Sequence, residues 1–319
     1  MCSEGTGLLP SMDLCHKIYY LVPSFAAPGE REGAFTVWLL TSSHDVVKAL
    51  MSEKLLSLNH EAGPGADFIA RAEEALGGLR FHVYAGVQRP NEAVVVPPGS
   101  VYLSATFGGR CSQVVWDIHT PFSLERSVTK LLPCTRLIKQ LEHHKIKAMA
   151  YYTLSNVLKY IESCREFSMD ATFASDFWSL VHSVTHIVLE EGVAAGDHPY
   201  PPPSRPPASR VCCFCGCNIF NRGFECPACN ADVCVQCVAE GMGCGNASHF
   251  AELVLRECIP ARELCEKIAA AKRYYAQAKG FGRQLPSDTL PEGQRSPLFI
   301  AQLQILRVKE RVNNQLIYI

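Results

Sequence analysis

Cysteine and histidine residues between positions 212 and 249 form the clearest candidate for metal chemistry in the chain. Nine of the 16 cysteines in this 319-residue sequence lie between Cys212 and Cys244, mostly in CxxC pairs. A CxxC turn places two thiolates about 2.3 Å from one tetrahedral zinc ion. Three such pairs, with Cys244 and His249 as a looser fourth, supply eight ligands. Because a site with four protein ligands is closed, we expect two zinc ions that stabilise a fold and do not catalyse.

The order of the pairs predicts how they divide between the two ions. The short gap between the second and third pairs favours interleaved, cross-braced sites. The first and third pairs would then hold one ion, through Cys212, Cys215, Cys234 and Cys237. The second and fourth pairs would hold the other, through Cys226, Cys229, Cys244 and His249. Cys213 and Cys217 remain, and an alternative register that uses them stays open.

A cluster of disulfide bonds is the competing interpretation of so many cysteines. Secreted domains carry disulfides, whereas clustered CxxC pairs in a reducing compartment are typical of metal sites. The first 14 residues, MCSEGTGLLPSMDL, lack the basic start and apolar core of a signal peptide. We therefore expect zinc, in a nuclear protein or, as the second choice, a cytoplasmic one.

Composition limits the remaining classes of protein. Apolar residues make up 48% of the chain and charged residues 19%, so a sizeable core is expected and wholesale disorder is not. The net charge of −1 predicts no general attraction to nucleic acid or to an anionic membrane. No run of about 18 apolar residues is present, so a membrane-spanning helix is not expected.

The first 120 residues are expected to be rich in short strands. Six apolar or alternating runs predict them, at 13–22, 34–40, 81–87, 93–96, 101–107 and 112–118. Turn signals such as Pro97-Pro98-Gly99 separate the runs, at intervals typical of an antiparallel sandwich or barrel. Helices at 43–56 and 66–76 are expected to interrupt the strands.

The segments after residue 120 are expected to be mainly helical. With them, the chain divides into five expected regions. Apolar residues at helical spacing predict helices at 123–132, 137–143, 145–161, 177–191, 261–279 and 298–314. The proline-rich run HPYPPPSRPPAS predicts an extended linker. The expected regions are a β domain at 1–120, a helical tail packing on it at 121–195, the linker at 196–210, the zinc module at 211–250 and C-terminal helices at 251–319.

Residues 81–121, FHVYAGVQRPNEAVVVPPGSVYLSATFGGRCSQVVWDIHTP, resemble the second half of a JmjC domain. Upstream, GAFTVWLL resembles the strand before the family's helical insert. Downstream, LLPCTRLIKQLEHHKIKAMAYYTL resembles the helical tail of JmjC proteins that also carry a cysteine-rich module. The resemblance covers about residues 9–165. It implies an α+β fold, a cupin-type double-stranded β-helix with helical insert and tail, beside a cross-braced zinc module similar to ZZ and RING fingers.

The JmjC family oxidises its substrates with Fe(II), 2-oxoglutarate and dioxygen, usually to demethylate a histone lysine. Two histidines and one carboxylate hold the iron. The resemblance places Ser11, Asp13 and Tyr102 at these positions, so that only the carboxylate remains. Few residues precede the Asp13 strand, where the family has further helices and strands, so the domain is expected to be truncated as well as degenerate.

The cosubstrate position departs from the family in the same way. A lysine that binds the 2-oxoglutarate carboxylate is expected just before Trp38, where Phe35 and Thr36 stand instead. A serine and a phenol are poor Fe(II) ligands at neutral pH, where the ion favours neutral imidazole. No catalytic residue and no bound Fe(II) or 2-oxoglutarate is therefore expected.

These departures favour a non-catalytic, JmjC-like interaction protein associated with chromatin. Its expected partner is a protein, for example a histone tail or a chromatin complex, with no membrane and with direct nucleic-acid contact left open. The first alternative is an active Fe(II)- and 2-oxoglutarate-dependent oxygenase, similar to histone lysine demethylases. The second alternative is a ubiquitin-ligase-type zinc module.

Overall fold

The protein folds as two compact units of mixed α and β structure, residues 1–138 and 139–319. This is a computed structural model. The residues that it describes are 11–22, 34–42, 44–52, 74–108, 112–139, 142, 144–164, 169–193, 197–206 and 209–279. The expected α+β class is confirmed, with several antiparallel sheets.

The described part of the first unit consists of strands with short helices. Its strands are β1 (Ser11–Met12), β2 (His16–Val22), β3 (Phe35–Thr41), β4 (Tyr84–Gln88), β5 (Ala93–Val96), β6 (Val101–Phe107) and β7 (Ser112–Ile118). Its helices are α1 (His44–Ser52), α2 (Pro121–Arg126) and α3 (Leu132–Ile138). A π-helical turn at Ser127–Leu131 joins α2 to α3.

Two antiparallel sheets of the first unit face each other across an aromatic core. Their strand orders are β1-β6-β3-β4 and β5-β2-β7. Because side chains alternate along a strand, Lys17, Tyr19 and Leu21 of β2 all turn to the buried face. The Tyr19 ring lies 4.8 Å from that of Trp38 and 5.9 Å from that of Tyr102, centroid to centroid. These contacts join β2 of one sheet to β3 and β6 of the other.

The second unit contains longer helices and one small sheet. Its helices are α4 (Ile146–Ser163), α5 (Ala171–Glu190), the short α6 (Val235–Ala239) and α7 (Ala261–Lys279). The strands β8 (Arg222–Cys226), β9 (Ala231–Cys234) and β10 (Val254–Glu257) form an antiparallel sheet of order β10-β8-β9, and a 3-10 helix spans Ala247–Glu252. Helix α5 packs against both α4 and α7, which places its apolar residues in the core of this unit.

A buried glutamate links the helices of this unit to the cysteine-rich segment. Both carboxylate oxygens of Glu142 accept hydrogen bonds at 2.9 Å, one from the Ile146 amide at the start of α4 and one from the Asn218 amide. Burial raises the pKa of Glu142. The carboxylate satisfies backbone donors that would otherwise be buried without a partner, which is costly.

Several predicted elements have the observed bounds. The strands at 93–96, 101–107 and 112–118 and the helix at 261–279 agree residue for residue. The helix expected at 177–191 begins earlier, at Ala171, because the Asp170 side chain caps it by accepting from the Phe173 amide. The helix expected at 298–314 and residues 66–73 of another lie outside the described residues.

One other segment differs from the sequence interpretation. The strand predicted at 13–22 begins only at His16, and a separate short strand ends at Met12, so that Asp13 lies in the connection between the two strands. The boundary between the two units falls after Ile138, inside the segment expected as a helical tail at 121–195. The expected region boundaries stay predictions.

The proline-rich run contacts the sheet of the second unit. The Glu257 amide donates to the Pro201 carbonyl at 3.1 Å, and the guanidinium of Arg205 lies 2.6 Å from the carboxylate of Asp232. Residues 198–206 of the run form neither helix nor strand, and these contacts hold the run against β10 and β9. No helix among the described residues combines the length and apolar character needed to cross a bilayer.

Candidate metal centres

The first group of candidate ligands is a buried cluster of four thiols. It consists of Cys212, Cys215, Cys234 and Cys237, whose sulfur atoms all lie within 4.8 Å of one another. The first two belong to a loop before β8, the third ends β9, and the fourth lies in α6. All four side chains are buried. The structure therefore brings together the four residues that the spacing assigned to one ion.

The second group combines three thiols with one imidazole. Its members are Cys226, Cys229, Cys244 and His249, again with ligand atoms within 4.8 Å of one another. The Nδ1 atom of His249 is 3.0 Å from the Cys229 sulfur, 3.8 Å from that of Cys226 and 3.9 Å from that of Cys244. Because Nδ1 faces all three sulfurs, it is the ring nitrogen that would bind an ion.

Local backbone geometry explains how a loop can present the first pair. The Cys212 carbonyl accepts a hydrogen bond from the Gly216 amide at 2.9 Å, which closes a tight turn around Cys215. Gly216 has a positive φ of 76°, a conformation that glycine adopts without strain. The Cys212 amide then donates to the Cys217 carbonyl at 2.9 Å. The turn, which precedes β8, therefore directs the sulfur atoms of Cys212 and Cys215 toward the same position.

The two groups interleave along the chain. Strand β8 ends at Cys226 of the second group, and the neighbouring strand β9 ends at Cys234 of the first group. The register pairs Gly223 with Cys234 and Cys226 with Ala231. One hairpin therefore supplies ligands to both sites, as in the predicted cross-braced arrangement.

The electrostatics of the thiols fit a cation. Hydrogen bonds from Cys215, and then from Cys234 and Cys237, hold the pKa of the Cys212 thiol far below its usual value. The same contact with Cys212 raises the pKa of Cys237. One thiolate is thus stabilised by protons that its neighbours retain. A zinc ion replaces such protons and allows all four thiolates to form, so the donor set fits zinc.

The second group shows the same tendency at a more exposed place. Burial raises the pKa of Cys244, but hydrogen bonds with the Asn246 backbone and with the neighbouring ligands outweigh it and bring the pKa to about 7. The contact with Cys244 raises the pKa of Cys229 to about 12. Three sulfurs and one imidazole are an ordinary ligand set for structural zinc.

The two remaining cysteines of the segment belong to neither group. Cys213 is exposed, and its sulfur lies 3.9 Å from the Gly243 carbonyl oxygen. Cys217 is buried next to the first group. Neither is among the four mutually close ligands of a group in the described chain.

Ser11, Asp13 and Tyr102 of the first unit, which the resemblance suggested as degenerate iron positions, lie close together and are joined by strand pairing and hydrogen bonds. Ser11 of β1 pairs with Tyr102 of β6 in the strand register. The Tyr102 hydroxyl donates to the Asp13 carboxylate at 2.5 Å and lies 2.7 Å from the Tyr19 hydroxyl. Burial, and then the charge of Asp13, raises the pKa of Tyr102, so the phenol stays protonated and acts as a donor.

A lysine that the sequence interpretation missed completes this network. The ammonium of Lys17 lies 3.2 Å from the other carboxylate oxygen of Asp13 and 3.6 Å from the carboxylate of Asp117. Asp13 and Lys17 are both buried. The signal was present, because Lys17 is an unexpected charge on the inward face of β2. The sequence pattern does not identify Asp13 as the partner of Lys17, because Asp13 lies in the connection between β1 and β2.

The rest of this interior is filled by amides and hydroxyls. The Trp38 indole donates to the Gln88 side chain at 3.0 Å, and Gln88 donates to the Tyr19 carbonyl at 2.7 Å. The Thr36 hydroxyl lies 3.1 Å from that of Thr106. Within the described residues, no group of three or more metal-ligating side chains includes Asp13.

Comparison with known proteins gives a distant relative but no matching family model. No protein-family model matches the chain. The chain is 27% identical over 234 residues to C-module-binding factor A of Dictyostelium discoideum. The match covers 66% of this chain but only 23% of that protein, so the chain spans about a quarter of the length of the curated relative that it resembles.

Proposed function

We propose that this protein is a non-catalytic, JmjC-like interaction protein of the nucleus, which associates with chromatin through a two-zinc module. The observation that carries the proposal concerns the Asp13 carboxylate. Both of its oxygen atoms are already occupied, one by the Tyr102 hydroxyl and the other by the Lys17 ammonium. An Fe(II) site needs this carboxylate and two neutral imidazoles. Here a phenol stands at one imidazole position and a serine at the other.

Charge makes iron binding still less favourable. An ammonium group 3.2 Å from the carboxylate occupies the side from which a dication would approach, and like charges repel strongly in a poorly solvated interior. An iron ion that displaced Lys17 from Asp13 would also break a buried ion pair and leave the Lys17 ammonium without this partner. The hydrogen bonds and the ion pair of Asp13 therefore support a structural role for this interior in place of iron binding.

The JmjC-like fold is the finer part of the proposal. Two antiparallel sheets that face each other through Tyr19, Trp38 and Tyr102 are compatible with half of a cupin-type barrel. The observed helix after β3 matches the position of the family's helical insert. Phe35 and Thr36 stand where the family has its cosubstrate-binding lysine, which supports a fold that no longer binds 2-oxoglutarate.

A binding role agrees with the name of the relative, which describes a binding factor. The proposed nuclear location rests on the clustered CxxC pairs, which are typical of metal sites in a reducing compartment. The zinc module is the proposed contact surface for a protein partner such as a histone tail. When bound, zinc would supply no chemistry beyond joining chain segments. One ion would join the Cys212 loop to β9 and α6, and the other would join the end of β8 to the segment of Cys244 and His249.

A groove on the module supports this choice of surface. It has a volume of about 400 Å³ and is lined by Phe214, Met242 and Phe250 with the backbone of glycines between 241 and 245. Met242 is 36% exposed. The ammonium of Lys139 lies 4.0 Å from the centre of the Phe214 ring, which is favourable cation–π geometry. The ring face of Phe214 therefore accepts a cation, and a cationic side chain of a partner would have to displace Lys139 from it.

Metal content and turnover test the non-catalytic part of the proposal. The purified chain is loaded with zinc and Fe(II) together and analysed for both elements, and succinate release from 2-oxoglutarate is then measured. Two zinc ions, no iron and no succinate are expected. Succinate formation that Asp13→Ala abolishes would overturn the proposal in favour of an oxygenase.

Peptide binding tests the interaction surface. Fluorescence anisotropy with labelled histone-tail peptides is expected to show binding that Phe214→Ala weakens. Phe122→Ala removes an exposed phenyl ring from the other unit and serves as the matched control. Discharge of ubiquitin from a charged conjugating enzyme, with no peptide binding, would instead support the ligase-type module.

A further inference from the structure

A cavity of the first unit, away from the Asp13 network, is lined by cations and hydroxyls. Its volume is about 540 Å³. The polar residues that line it are Ser42, Arg126, Thr129, Lys130 and Cys134. No carboxylate is among its described lining residues. A concave surface with convergent donors and one sign of charge is typical of a binding site for an anion.

Arg126 is the central donor of this cavity. Its Nε atom is buried and has no hydrogen-bond partner among the described residues. A buried donor without a partner is costly, and guanidinium groups at such places bind oxyanions through forked hydrogen bonds. An anion in the cavity would supply the missing acceptor.

The surrounding charges act in the same direction. Lys130 lines the cavity from the π-helical turn, and its side chain is exposed. Burial raises the pKa of the Cys134 thiol, and the positive charge of Lys48 acts on it in the opposite sense. The thiol is therefore neutral at physiological pH, while Lys48 adds a further positive charge nearby.

The backbone fixes the position of Arg126. Gly99 adopts a φ of +71°, and a Cβ atom there would lie 2.7 Å from the Leu131 side chain and 3.5 Å from Arg126 Nε. Only glycine allows this close approach of the Pro97–Ser100 turn. The π-helical turn after Arg126 is anchored by Ser127, whose hydroxyl donates to the Leu14 carbonyl. Both elements hold the guanidinium at the cavity wall.

We infer that the cavity between Gly99, Arg126 and Lys130 is a binding site for a phosphate-type oxyanion. The guanidinium of Arg126 supplies the forked contact, and Lys130 and the Ser42 hydroxyl supply further donors. The ligand is free phosphate or the phosphate group of a small phosphoester, since the cavity exceeds the size of a single phosphate ion.

Calorimetric titration of the full chain tests this site. Inorganic phosphate and phosphoserine are titrated separately, with sodium chloride added to hold the ionic strength constant, because salt screens exposed charges. Saturable binding of either ligand is expected. Tighter binding of phosphoserine would identify a phosphoester as the source, and tighter binding of phosphate would identify the free ion. No heat of binding from either ligand up to about 10 mM would overturn the inference.

Two variants connect the binding to the named residues. Arg126→Gln is expected to weaken the affinity at least about tenfold, since it removes a charged hydrogen bond. Lys130→Glu changes an exposed side chain, so the fold should persist while binding falls by a similar factor. The exposed Lys159→Glu on α4 is the matched control, and its affinity should equal that of the wild type. Unchanged affinity in both cavity variants would contradict the site.

Discussion

The thiol groups of the second unit and the Asp13 network of the first both gather potential metal ligands, yet their charges are balanced in different ways. Around Cys212, four buried thiols lie together, and the side chains that lower the pKa of Cys212 are the three other thiols of the group. Around Asp13, the chain supplies its own cation, Lys17, and a hydroxyl donor, Tyr102. The difference shows that the type of ligand alone does not define a metal site. The source of the balancing charge decides it.

The largest effect is expected from the loss of one thiol ligand. Cys212→Ser should reduce the zinc content from two ions to at most one, because serine is a poor zinc ligand and the site needs four donors. The free energy of zinc binding is folding free energy in such modules, so the segment 212–249 should lose several kcal/mol of stability. Elemental analysis and thermal unfolding measure both. Retention of two ions would show that another residue has replaced Cys212.

A smaller effect is expected when the internal cation is removed. Lys17→Met leaves the Asp13 and Asp117 carboxylates without their ammonium partner, and should lower the free energy of unfolding by about 3 kcal/mol. Urea titration measures the change. The exposed Lys159→Met is the control, with an expected change within about 0.5 kcal/mol. Equal effects in the two variants would mean that Lys17 does not balance Asp13.

The buried phenol of Tyr102 predicts a dependence on alkaline pH. Burial raises the pKa of Tyr102 above its usual value of 10.0, so the unfolded chain ionises at a lower pH than the folded one. Its contribution to stability is therefore complete below about pH 10 and is lost as the pH rises further, by about 1.4 kcal/mol per unit. Tyr102→Phe should remove this slope. The stability difference between wild type and variant, measured by urea titration from about pH 8 to about pH 11, should then shrink. A constant difference would contradict the assignment.

The smallest effect is expected at the neighbouring thiol. Cys213→Ser changes an exposed cysteine that belongs to neither group, so zinc content should stay at two and stability should change by less than about 0.5 kcal/mol. Together with Cys212→Ser it forms a matched pair one residue apart. If the results of the two variants were exchanged, the alternative register would be correct.

The sequence predicts local features of this protein better than distant ones. The strand at 101–107 and the two cysteine groups follow from period and spacing, which neighbouring residues determine. The contacts of Tyr102 with Asp13 and Tyr19 join residues 89 and 83 positions apart, and no local pattern reports such pairing. The π-helical turn at Ser127–Leu131 was missed for a related reason, since its register depends on the anchoring of Ser127 at Leu14.

The hairpin of β8 and β9 has a consequence for how the module would respond to competition for metal. Its strands end at ligands of different sites, Cys226 and Cys234, and are joined by backbone hydrogen bonds. Release of one ion frees a strand end and thereby weakens the hold on the other ion. We expect cooperative release, with few half-loaded molecules at equilibrium. A cell that lowers its free zinc slowly would then switch the module off over a narrow concentration range, as at a threshold.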